Sequence, residues 1–402
     1  MPTMMHSNFP VALPVLLIAI APVVAAPGQD WPQWRGVRGD GISQETEWAS
    51  RLGDPQRLWE KQIGVGCSSM AVRDTRVYAA GWADGRSTVF CLDATTGEEI
   101  WKSSYEIQKW DKMHHGGPGA TPAVDGDRVY VVSRDGELFC FDAVDGTKRW
   151  SKKLAPNGGP PSWGFTGSPV IYSDRLYANA GRIVALDKVT GSVIWQTANL
   201  GAAYSTPVRY EHGGRTLVAT FPSSGLVLLD DADGSVIARH AWKTSYDVNA
   251  ATPVVDGDRV FIASGYGTGC AMLRLEGSSF SVIWENKRMK NKMATCVLID
   301  GHLYGFDESV LRCLDADTGA KKWKRSGLGL GSLMAAGNRL VVLGDDGTLV
   351  IADADPSEYR EHARYQVFKT SNCWVAPVLS HGRIYCRSQE GELVCLNVSG
   401  GP

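Results

Sequence analysis

Four segments of this chain align with one another over their whole length. They are CLDATTGEEIW ending at Trp101, CFDAVDGTKRW ending at Trp150, ALDKVTGSVIW ending at Trp195 and CLDADTGAKKW ending at Trp323. Each reads as a strand, a tight turn built from Asp, Thr and Gly, and a second strand that ends on tryptophan. Such a repeat constrains the fold strongly, because each unit must be built alike and must stack on its neighbours.

The turn carboxylate sets the length of the repeat. It stands at Asp93, Asp142, Asp187, Asp230, Asp315 and Asp353, with Arg274 in the fifth place and Asn397 in the last. The spacing averages about 43 residues, which is the length of one four-stranded propeller blade. A second phrase, TPAVDGDRVYVVS from Thr121, precedes the turn and recurs in weaker copies as two inner strands. We therefore predict an all-β chain that forms an eight-bladed β-propeller of four-stranded antiparallel blades.

The two ends of the repeat predict how the ring closes. The last unit ends near Asn397 without a fourth strand, whereas RLWEKQI around Trp59 stands as an extra strand before the first complete unit. If this outer strand pairs beside the Leu396 strand, it completes the eighth blade and leaves no open edge. The predicted propeller then spans residues 56–398.

The repeated tryptophan is predicted to dock each blade on the next. The docking residues are Trp59, Trp101, Trp150, Trp195, Trp284 and Trp323. Ala238 and Glu361 replace the tryptophan in the fourth and seventh units. Trp242 and Tyr365 lie an even number of residues further on, and would face the same side of the strand. We therefore expect these two blades to be present but packed differently.

Composition limits the function classes. The formal net charge of -2, without a dense run of Lys or Arg, argues against a nucleic-acid partner. Four of the nine cysteines (Cys91, Cys140, Cys313 and Cys395) occupy equivalent repeat positions, too far apart to bridge, and are expected to be buried apolar residues. The other five could in principle pair, although their number is odd.

The first residues resemble an export signal. Residues 11–21 are almost wholly apolar, and small residues up to Ala26 offer a cleavage site, so residues 1–26 are predicted to be a signal peptide. A membrane-spanning helix is the competing interpretation, but the run is short, carries Pro14 and Pro22, and lacks charged flanks. We expect an exported protein, periplasmic or extracellular, with no transmembrane span in the mature chain. Residues 27–55 are predicted to be an extension that packs on the propeller, because Trp31, Trp34 and Trp48 need burial.

These motifs resemble those of the PQQ-like (pyrroloquinoline-quinone) repeat family. ALDKVTGSVIW matches its Ala-x-Asp-x-x-Thr-Gly-x-x-x-Trp docking motif throughout, and the likeness runs from about Trp59 to Val398. The resemblance implies an eight-bladed β-propeller with tryptophans between blades. Its quinoprotein alcohol dehydrogenases use PQQ, calcium and a vicinal Cys-Cys pair, which this chain lacks. Its BamB-like branch is compact, exported and cofactor-free, but those proteins are lipoproteins, and the chain has no lipobox cysteine. The DWPQWRGVRGDGIS segment resembles the start of uncharacterised exported propellers with this repeat.

The loops that lead into the innermost strands differ between repeats and are predicted to surround one mouth of the channel. The candidate ligand or partner residues there are His114, His115, Trp163, Phe165, Tyr204, Asp247, Asn249, Lys292, Asn372 and Trp374. Aromatic walls with a few polar groups suit a planar or sugar-like ligand. Each has a simpler explanation: the histidines as exposed loop residues, the tryptophans as plugs, and Asp247 with Asn249 as an Asx turn instead of calcium ligands.

A small residue recurs where each innermost strand begins. The set is Ser69, Thr121, Ser168, Thr206, Thr252, Thr295 and Ser332, with Ala376 in the eighth place. The hydroxyls could line a wet channel, but we favour hydrogen bonds to their own backbone at the strand start.

No catalytic constellation or metal-binding spacing is evident, so we predict no catalytic residue, no metal site and no cofactor. The expected function is that of an exported, non-catalytic binding or scaffold module with a protein or carbohydrate partner. The alternative is a PQQ- and calcium-dependent oxidoreductase resembling the alcohol dehydrogenases. A lyase or glycan hydrolase that uses Asp247 and a histidine is a third hypothesis.

Overall fold

The computed structural model of the chain describes Met1 and residues 30–48, 55–108, 115–155, 159–202 and 204–400. The predicted signal peptide and His114 therefore lie outside the described residues. Within these ranges, no helix has the length and apolar character that crossing a bilayer would require.

The described strands are, in chain order, β1 (Ile42–Ser43), β2 (Arg57–Gln62), β3 (Ala71–Arg73), β4 (Arg76–Ala83), β5 (Arg86–Asp93), β6 (Glu99–Glu106), β7 (Ala123–Asp125), β8 (Arg128–Val132), β9 (Glu137–Asp142), β10 (Lys148–Lys153), β11 (Val170–Tyr172), β12 (Arg175–Asn179), β13 (Ile183–Asp187), β14 (Val193–Gln196), β15 (Val208–His212), β16 (Arg215–Thr220) and β17 (Gly225–Asp230). The remainder are β18 (Val236–Ala241), β19 (Val254–Asp256), β20 (Arg259–Ser264), β21 (Gly269–Glu276), β22 (Ser279–Asn286), β23 (Val297–Ile299), β24 (His302–Asp307), β25 (Val310–Asp315), β26 (Lys321–Arg325), β27 (Ser332–Ala336), β28 (Arg339–Leu343), β29 (Thr348–Asp353), β30 (Glu361–Gln366), β31 (Val378–Ser380), β32 (Arg383–Arg387) and β33 (Glu392–Asn397).

These strands form eight sheets, one for each sequence repeat. Blades 1 to 7 each take four consecutive strands, from β3–β6 in blade 1 to β27–β30 in blade 7. Blade 8 takes β31, β32 and β33 together with β2. Neighbouring strands within these blades are antiparallel, and the predicted eight-bladed β-propeller is confirmed.

The ring closes as the sequence predicted. Strand β2 pairs antiparallel with β33, so that Trp59 lies opposite Cys395 and Gln62 opposite Glu392. An early segment of the chain and a late one therefore share blade 8. Because β2 supplies the fourth strand of this blade, the edge of β33 is paired. Blade 7 carries one addition, because β1 pairs parallel with its innermost strand β27.

The turn of the repeat is held by its aspartate. In blade 3, Asp187 Oδ1 accepts the backbone N–H of Val189 at 3.1 Å and that of Thr190 at 2.7 Å. Gly191 follows with a φ of 70°, a left-handed conformation that glycine adopts without a Cβ clash. The Asp, Thr and Gly of the motif thus each satisfy one requirement of the same turn.

The tryptophan of the repeat lies between its own blade and the next. Trp195 is 6% exposed, and its Nε1–H donates to the carbonyl oxygen of Asp231 in blade 4 at 2.7 Å. Its ring covers Gly234 of the same turn and packs against Tyr177, with ring centroids 6.1 Å apart. The equivalent indole hydrogen bonds join Trp59 to Ala94, Trp101 to Ala143, Trp150 to Val189, Trp284 to Ala316 and Trp323 to Asp355.

The cysteine of the repeat stands directly opposite this tryptophan. Cys91 pairs in register with Trp101 on one neighbouring strand and with Tyr78 on the other, and it is fully buried. A small apolar side chain is needed there because the two rings occupy the flanking space. All nine cysteines are free thiols.

Blades 4 and 7 are complete sheets that pack differently. In blade 4 the buried Ala238 replaces the ring, and strand β18 lies against β22 of blade 5. Trp242 is buried just beyond β18 and donates from Nε1 to Ser264 Oγ of blade 5 at 3.2 Å. In blade 7, Glu361 accepts a hydrogen bond from Tyr359, whose ring packs against Trp323 of blade 6.

Candidate functional site

Hydrogen bonds from backbone N–H groups to hydroxyl oxygens link neighbouring blades around the axial channel. We call the channel end where the chain enters the innermost strands the upper end, and the opposite end the lower end. At the upper end, the N–H of Ser69 donates to Thr121 Oγ1 at 3.0 Å, and the N–H of Thr121 donates to Ser168 Oγ at 2.9 Å. The bonds from Ser168 to Thr206 and from Thr252 to Thr295 are equivalent.

The expected partner of these hydroxyls was therefore wrong. Each of these four hydroxyl oxygens accepts from the preceding blade instead of bonding its own backbone. The physical reason is that innermost strands converge at the axis, so the neighbouring blade offers the nearer unpaired N–H. These four hydroxyls thus fasten neighbouring blades together where the blades approach most closely.

The N-terminal segment (residues 30–48) closes the lower end. Trp31 exchanges two backbone hydrogen bonds with Val72 of β3, at 2.9 and 2.8 Å. The segment also bonds to Val124 through Pro32, to Ile171 through Gln33, to Cys296 through Arg35 and to Ala335 through Gly41. These partners belong to blades 1, 2, 3, 6 and 7, so the segment pairs with strand edges that would otherwise be unpaired at the axis.

A cavity of about 420 Å³ remains above this segment. Trp31, Trp34 and Arg35 line it from the N-terminal segment, and the Trp34 Nε1–H donates to Thr252 Oγ1 at 3.0 Å. Because the segment fills the lower part of the channel, a ligand would enter from the upper end. The volume lies within the range of small-molecule sites, roughly 300–1,000 Å³.

Aromatic side chains ring the upper end of the cavity. Trp163 and Tyr204 meet edge to face, with centroids 5.9 Å apart and an interplanar angle of 66°. Tyr246 and Tyr266 make a similar pair at 5.1 Å and 66°. Trp374 also lines the cavity, and its Nε1–H donates to Asp345 Oδ1 at 2.7 Å.

Cationic side chains stand among these rings. Lys292 Nζ lies 5.3 Å from the centroid of the Tyr266 ring, in a cation–π contact. Arg134 is 5% exposed and donates to the carbonyl oxygens of Gly117 at 2.6 Å and of Trp163 at 2.5 Å. Burial lowers the pKa of the Arg134 guanidinium, yet an arginine remains protonated at neutral pH. No aspartate or glutamate is among the described residues that line the cavity.

Cys67 lies at the edge of this site. It lines the cavity and is half-buried, whereas the other eight cysteines are buried. Burial raises the pKa of the Cys67 thiol to about 11, although the neighbouring Arg387 and Arg134 oppose that effect. The thiol is therefore protonated and unreactive at neutral pH.

Four of the ten candidates from the sequence line the cavity together. They are Trp163, Tyr204, Lys292 and Trp374. They come from the loops that lead into blades 3, 4, 6 and 8, so the prediction that different loops meet at one mouth matches their placement. Their role in binding stays a prediction.

The other candidates lie elsewhere. Phe165 is 2% exposed in the apolar core of blades 2 and 3, because its side chain points into the sheet interface. Asn249 is 1% exposed and its amide is used by hydrogen bonds to Pro222, Trp242 and Ser264. The remaining described candidates, His115, Asp247 and Asn372, are not among the residues that line the cavity.

Sequence reasoning missed Arg134, Tyr246, Tyr266 and Cys67. Tyr246 lies beside Asp247 in a loop that the sequence singled out. Arg134 and Tyr266 belong to the hairpin turns between the second and third strands of their blades. These turns reach the same upper end as the loops into the innermost strands, because successive strands reverse direction. That alternation was the signal that could have found them.

The described residues offer no calcium site of the kind that the family's dehydrogenases use. Calcium takes several oxygen ligands, most of them carboxylate or amide oxygens. Asp247 is exposed and is not among the lining residues, and the Asn249 amide is already bonded to the protein. Within the described ranges, no group of three or more His, Cys, Asp or Glu residues could hold a metal ion.

Comparisons with known proteins place the chain in a family. The family model described as outer membrane protein assembly factor BamB matches residues 48–209, 85–325 and 307–402. BamB of Yersinia pestis is 24% identical over 371 residues, which cover 84% of this chain and 88% of that protein.

Two solved structures share the fold. BamB from Moraxella catarrhalis gives a TM-score of 0.62 at 17% identity and covers 86% of this chain and 98% of its own. Quinohemoprotein alcohol dehydrogenase from Comamonas testosteroni gives 0.68 at 14% identity, covering 94% of this chain and 82% of its own. At these identities the likeness supports the fold alone. The matches to the family model span most of the chain, and the chain therefore belongs to the PQQ-like repeat family of β-propellers, which includes BamB.

Proposed function

We propose that the protein is an exported, non-catalytic propeller that serves as a binding or scaffold module, with a protein or carbohydrate partner at the upper end of its channel. The observation that carries this proposal is the cavity, which the N-terminal segment closes below and aromatic side chains ring above. The relatives that match over most of the chain are named as assembly factors for outer membrane proteins, which supports a role in binding.

Site-specific photo-crosslinking tests where the partner binds. A photoreactive residue replaces Tyr246, which is 60% exposed and lines the cavity. The matched control replaces Val282, which is 47% exposed on β22, the outer strand of blade 5. We expect adducts in the exporting cell from position 246 and not from position 282. Adducts from the outer strand alone would place the partner on the side of the propeller and contradict the proposal.

Reconstitution tests the non-catalytic part of the proposal. The purified protein is mixed with PQQ and calcium, passed through gel filtration and assayed for dye-linked alcohol oxidation. We expect neither quinone absorbance in the protein peak nor oxidation. Retained absorbance together with activity would replace the proposal with the dehydrogenase alternative.

The exported location has its own test. The protein is expected in the periplasmic or extracellular fraction, with Pro27 as its first residue after cleavage behind Ala26. N-terminal sequencing of the fractionated protein measures both. A cytoplasmic protein that begins at Met1 would contradict the predicted signal peptide.

A further inference from the structure

The charged residues that line the cavity are all cations, and the carboxylates Asp345 and Asp247 stand outside the lining beside Trp374 and Tyr204. Arg35, Arg134 and Lys292 line it, and no described lining residue carries a carboxylate. A buried cation is costly unless an anion or hydrogen-bond acceptors compensate it. The lining therefore favours an anionic ligand over a neutral or cationic one.

Arg134 is the centre of this imbalance. Two of its nitrogens bond to carbonyl oxygens, but its buried Nε has no hydrogen-bond partner among the described residues. Among the described residues, no carboxylate is among the groups that act on the pKa of its guanidinium; these are burial, Cys67 and Tyr204. Arg387, behind Cys67, is fully buried and bonds to Ser68 and Gly64 without a carboxylate partner in the described ranges. Arg134 thus lines the cavity with neutral partners only, and Arg387 lies close to Cys67 with neutral partners only.

The aromatic side chains indicate the shape of the ligand. The two neighbouring pairs, Trp163 with Tyr204 and Tyr246 with Tyr266, both meet at 66°. Neither pair offers the parallel faces that would clasp a flat ring system. The lining combines aromatic rings with tyrosine hydroxyls, which suits a puckered ring that carries C–H and O–H groups.

We propose that the upper end of the cavity binds an acidic sugar, a uronic acid residue, through a site that needs no metal ion. The carboxylate lies against Arg134, with Lys292 supplying a second positive charge, and the sugar ring packs on Trp163 and Trp374. This inference rests on the proposed binding function and specifies the chemistry of the carbohydrate partner.

Calorimetry with defined sugars tests the charge requirement. The probes are digalacturonate, its uncharged dimethyl ester and 1-naphthoate as a flat aromatic acid, each titrated into the full chain in EDTA. We expect digalacturonate to bind at least about tenfold more tightly than the ester, since a charge-assisted hydrogen bond is lost with the charge. Equal affinity for acid and ester, or binding of naphthoate alone, would overturn the proposal.

Two lysine variants test the site. Lys292→Ala removes a charge from the cavity, whereas Lys322→Ala removes the same charge from the exposed outer strand β26. We expect Lys292→Ala to weaken digalacturonate binding several-fold at an unchanged melting temperature, and Lys322→Ala to leave it unchanged. Arg134→Lys keeps the charge but loses the planar guanidinium, and should weaken binding further. Equal affinities for the two alanine variants would contradict the assignment.

Alkylation of Cys67 gives an independent readout of position. We expect the half-buried thiol to react with iodoacetamide at alkaline pH, where its modified peptide is quantified by mass spectrometry. Digalacturonate should slow this reaction, and the ester should not. Binding without protection would place the sugar elsewhere. If no sugar binds but Tyr246 still crosslinks to a partner, only this inference fails; if both fail, the proposed function fails too.

Discussion

At the residue scale, one tryptophan joins two blades by three different contacts. The indole N–H of Trp195 bonds to a carbonyl of blade 4, the ring covers Gly234 of that blade, and Tyr177 of its own blade packs against it. The hydrogen bond fixes the position of the ring, and the apolar contacts exclude water from it. This combination explains why the Asp, Gly and Trp of the motif recur together.

Truncating this ring should destabilise the protein. We expect Trp195→Ala to lower the free energy of unfolding by about 3–5 kcal/mol, because a buried tryptophan is lost and its cavity cannot close. Thermal or denaturant unfolding measures the change. Trp163→Ala is the matched control, since that ring is half-buried at the mouth and lies outside the blade interfaces. Equal losses of unfolding free energy for the two variants would contradict a particular role of Trp195 in joining the blades.

A second prediction concerns Gly234, the glycine that the Trp195 ring covers. A Cβ on Gly234 would stand 2.5 Å from the Trp195 ring, whereas a Cβ on Gly277 would meet nothing within 4 Å. Both glycines have positive φ, 73° and 62°, so an alanine is strained at either position. The difference between Gly234→Ala and Gly277→Ala isolates the ring contact, and we expect the former to cost about 1–3 kcal/mol more. The two melting temperatures decide the matter, and a smaller loss for Gly234→Ala would refute the close contact.

Some site residues could be predicted from the sequence and others could not. Trp163 and Trp374 were found because non-repeated aromatic residues in loops stand out against a regular repeat. Asn249 was misjudged because sequence does not show that its amide is used by backbone carbonyls of neighbouring loops. Arg134 was missed because an arginine in a hairpin turn is usually solvent-exposed, whereas the crowding of eight blades at the axis buries it.

At the scale of strands, regular blades were predictable and their exceptions were not. Period-two alternation and the turn chemistry predict each four-stranded blade, and the position of the extra Trp59 strand predicts the closure. The N-terminal segment escaped a detailed prediction because it bonds to each of several blades at only one or two residues. Such contacts leave no periodic signature in the sequence. Its tryptophans indicated that the segment is buried, but they did not indicate that it lies at the lower end of the channel.

The fourth blade shows how a repeat position can lose its tryptophan. Ala238 is 2% exposed, and strand β18 lies against β22 where other blades hold a ring between them. Trp242 provides a buried indole beyond the strand instead. Restoring the motif by Ala238→Trp should therefore destabilise the protein by about 1–3 kcal/mol, because there is no room for the ring.

A second variant and a contrary outcome complete the test of blade 4. Trp242→Ala should also lower the melting temperature, because that residue has taken over the role of the missing ring. A rise in melting temperature for Ala238→Trp would show instead that the interface has space for the family tryptophan, and would contradict the observed contact between β18 and β22.

At the scale of the whole molecule, the propeller contains the same Asp-containing turn in several blades. An effect of that turn on stability is therefore repeated from blade to blade. The pKa of the turn carboxyl is lowered at four positions, Asp142, Asp187, Asp230 and Asp315. The largest causes are hydrogen bonds, from Arg149 to Asp142, from Thr190 to Asp187, from Arg215 to Asp230 and from Thr318 to Asp315. The same ionised turn therefore stabilises several blades at once.

This repetition predicts an acid-labile ring. A carboxyl whose pKa is lower in the folded than in the unfolded chain stabilises the fold above its unfolded value of about 3.9, and that contribution disappears as the pH falls through the lower folded value. Changing all four turn aspartates to asparagine keeps the side-chain oxygen that accepts the turn N–H but removes the charge. We expect the fourfold variant to melt below the parent at neutral pH, and the gap to close towards about pH 2. Melting temperatures across this pH range measure both, with Asp187→Asn alone expected to give only part of the gap because the turns lie in separate blades. A gap of constant size at every pH would show that the turns depend on shape and not on charge.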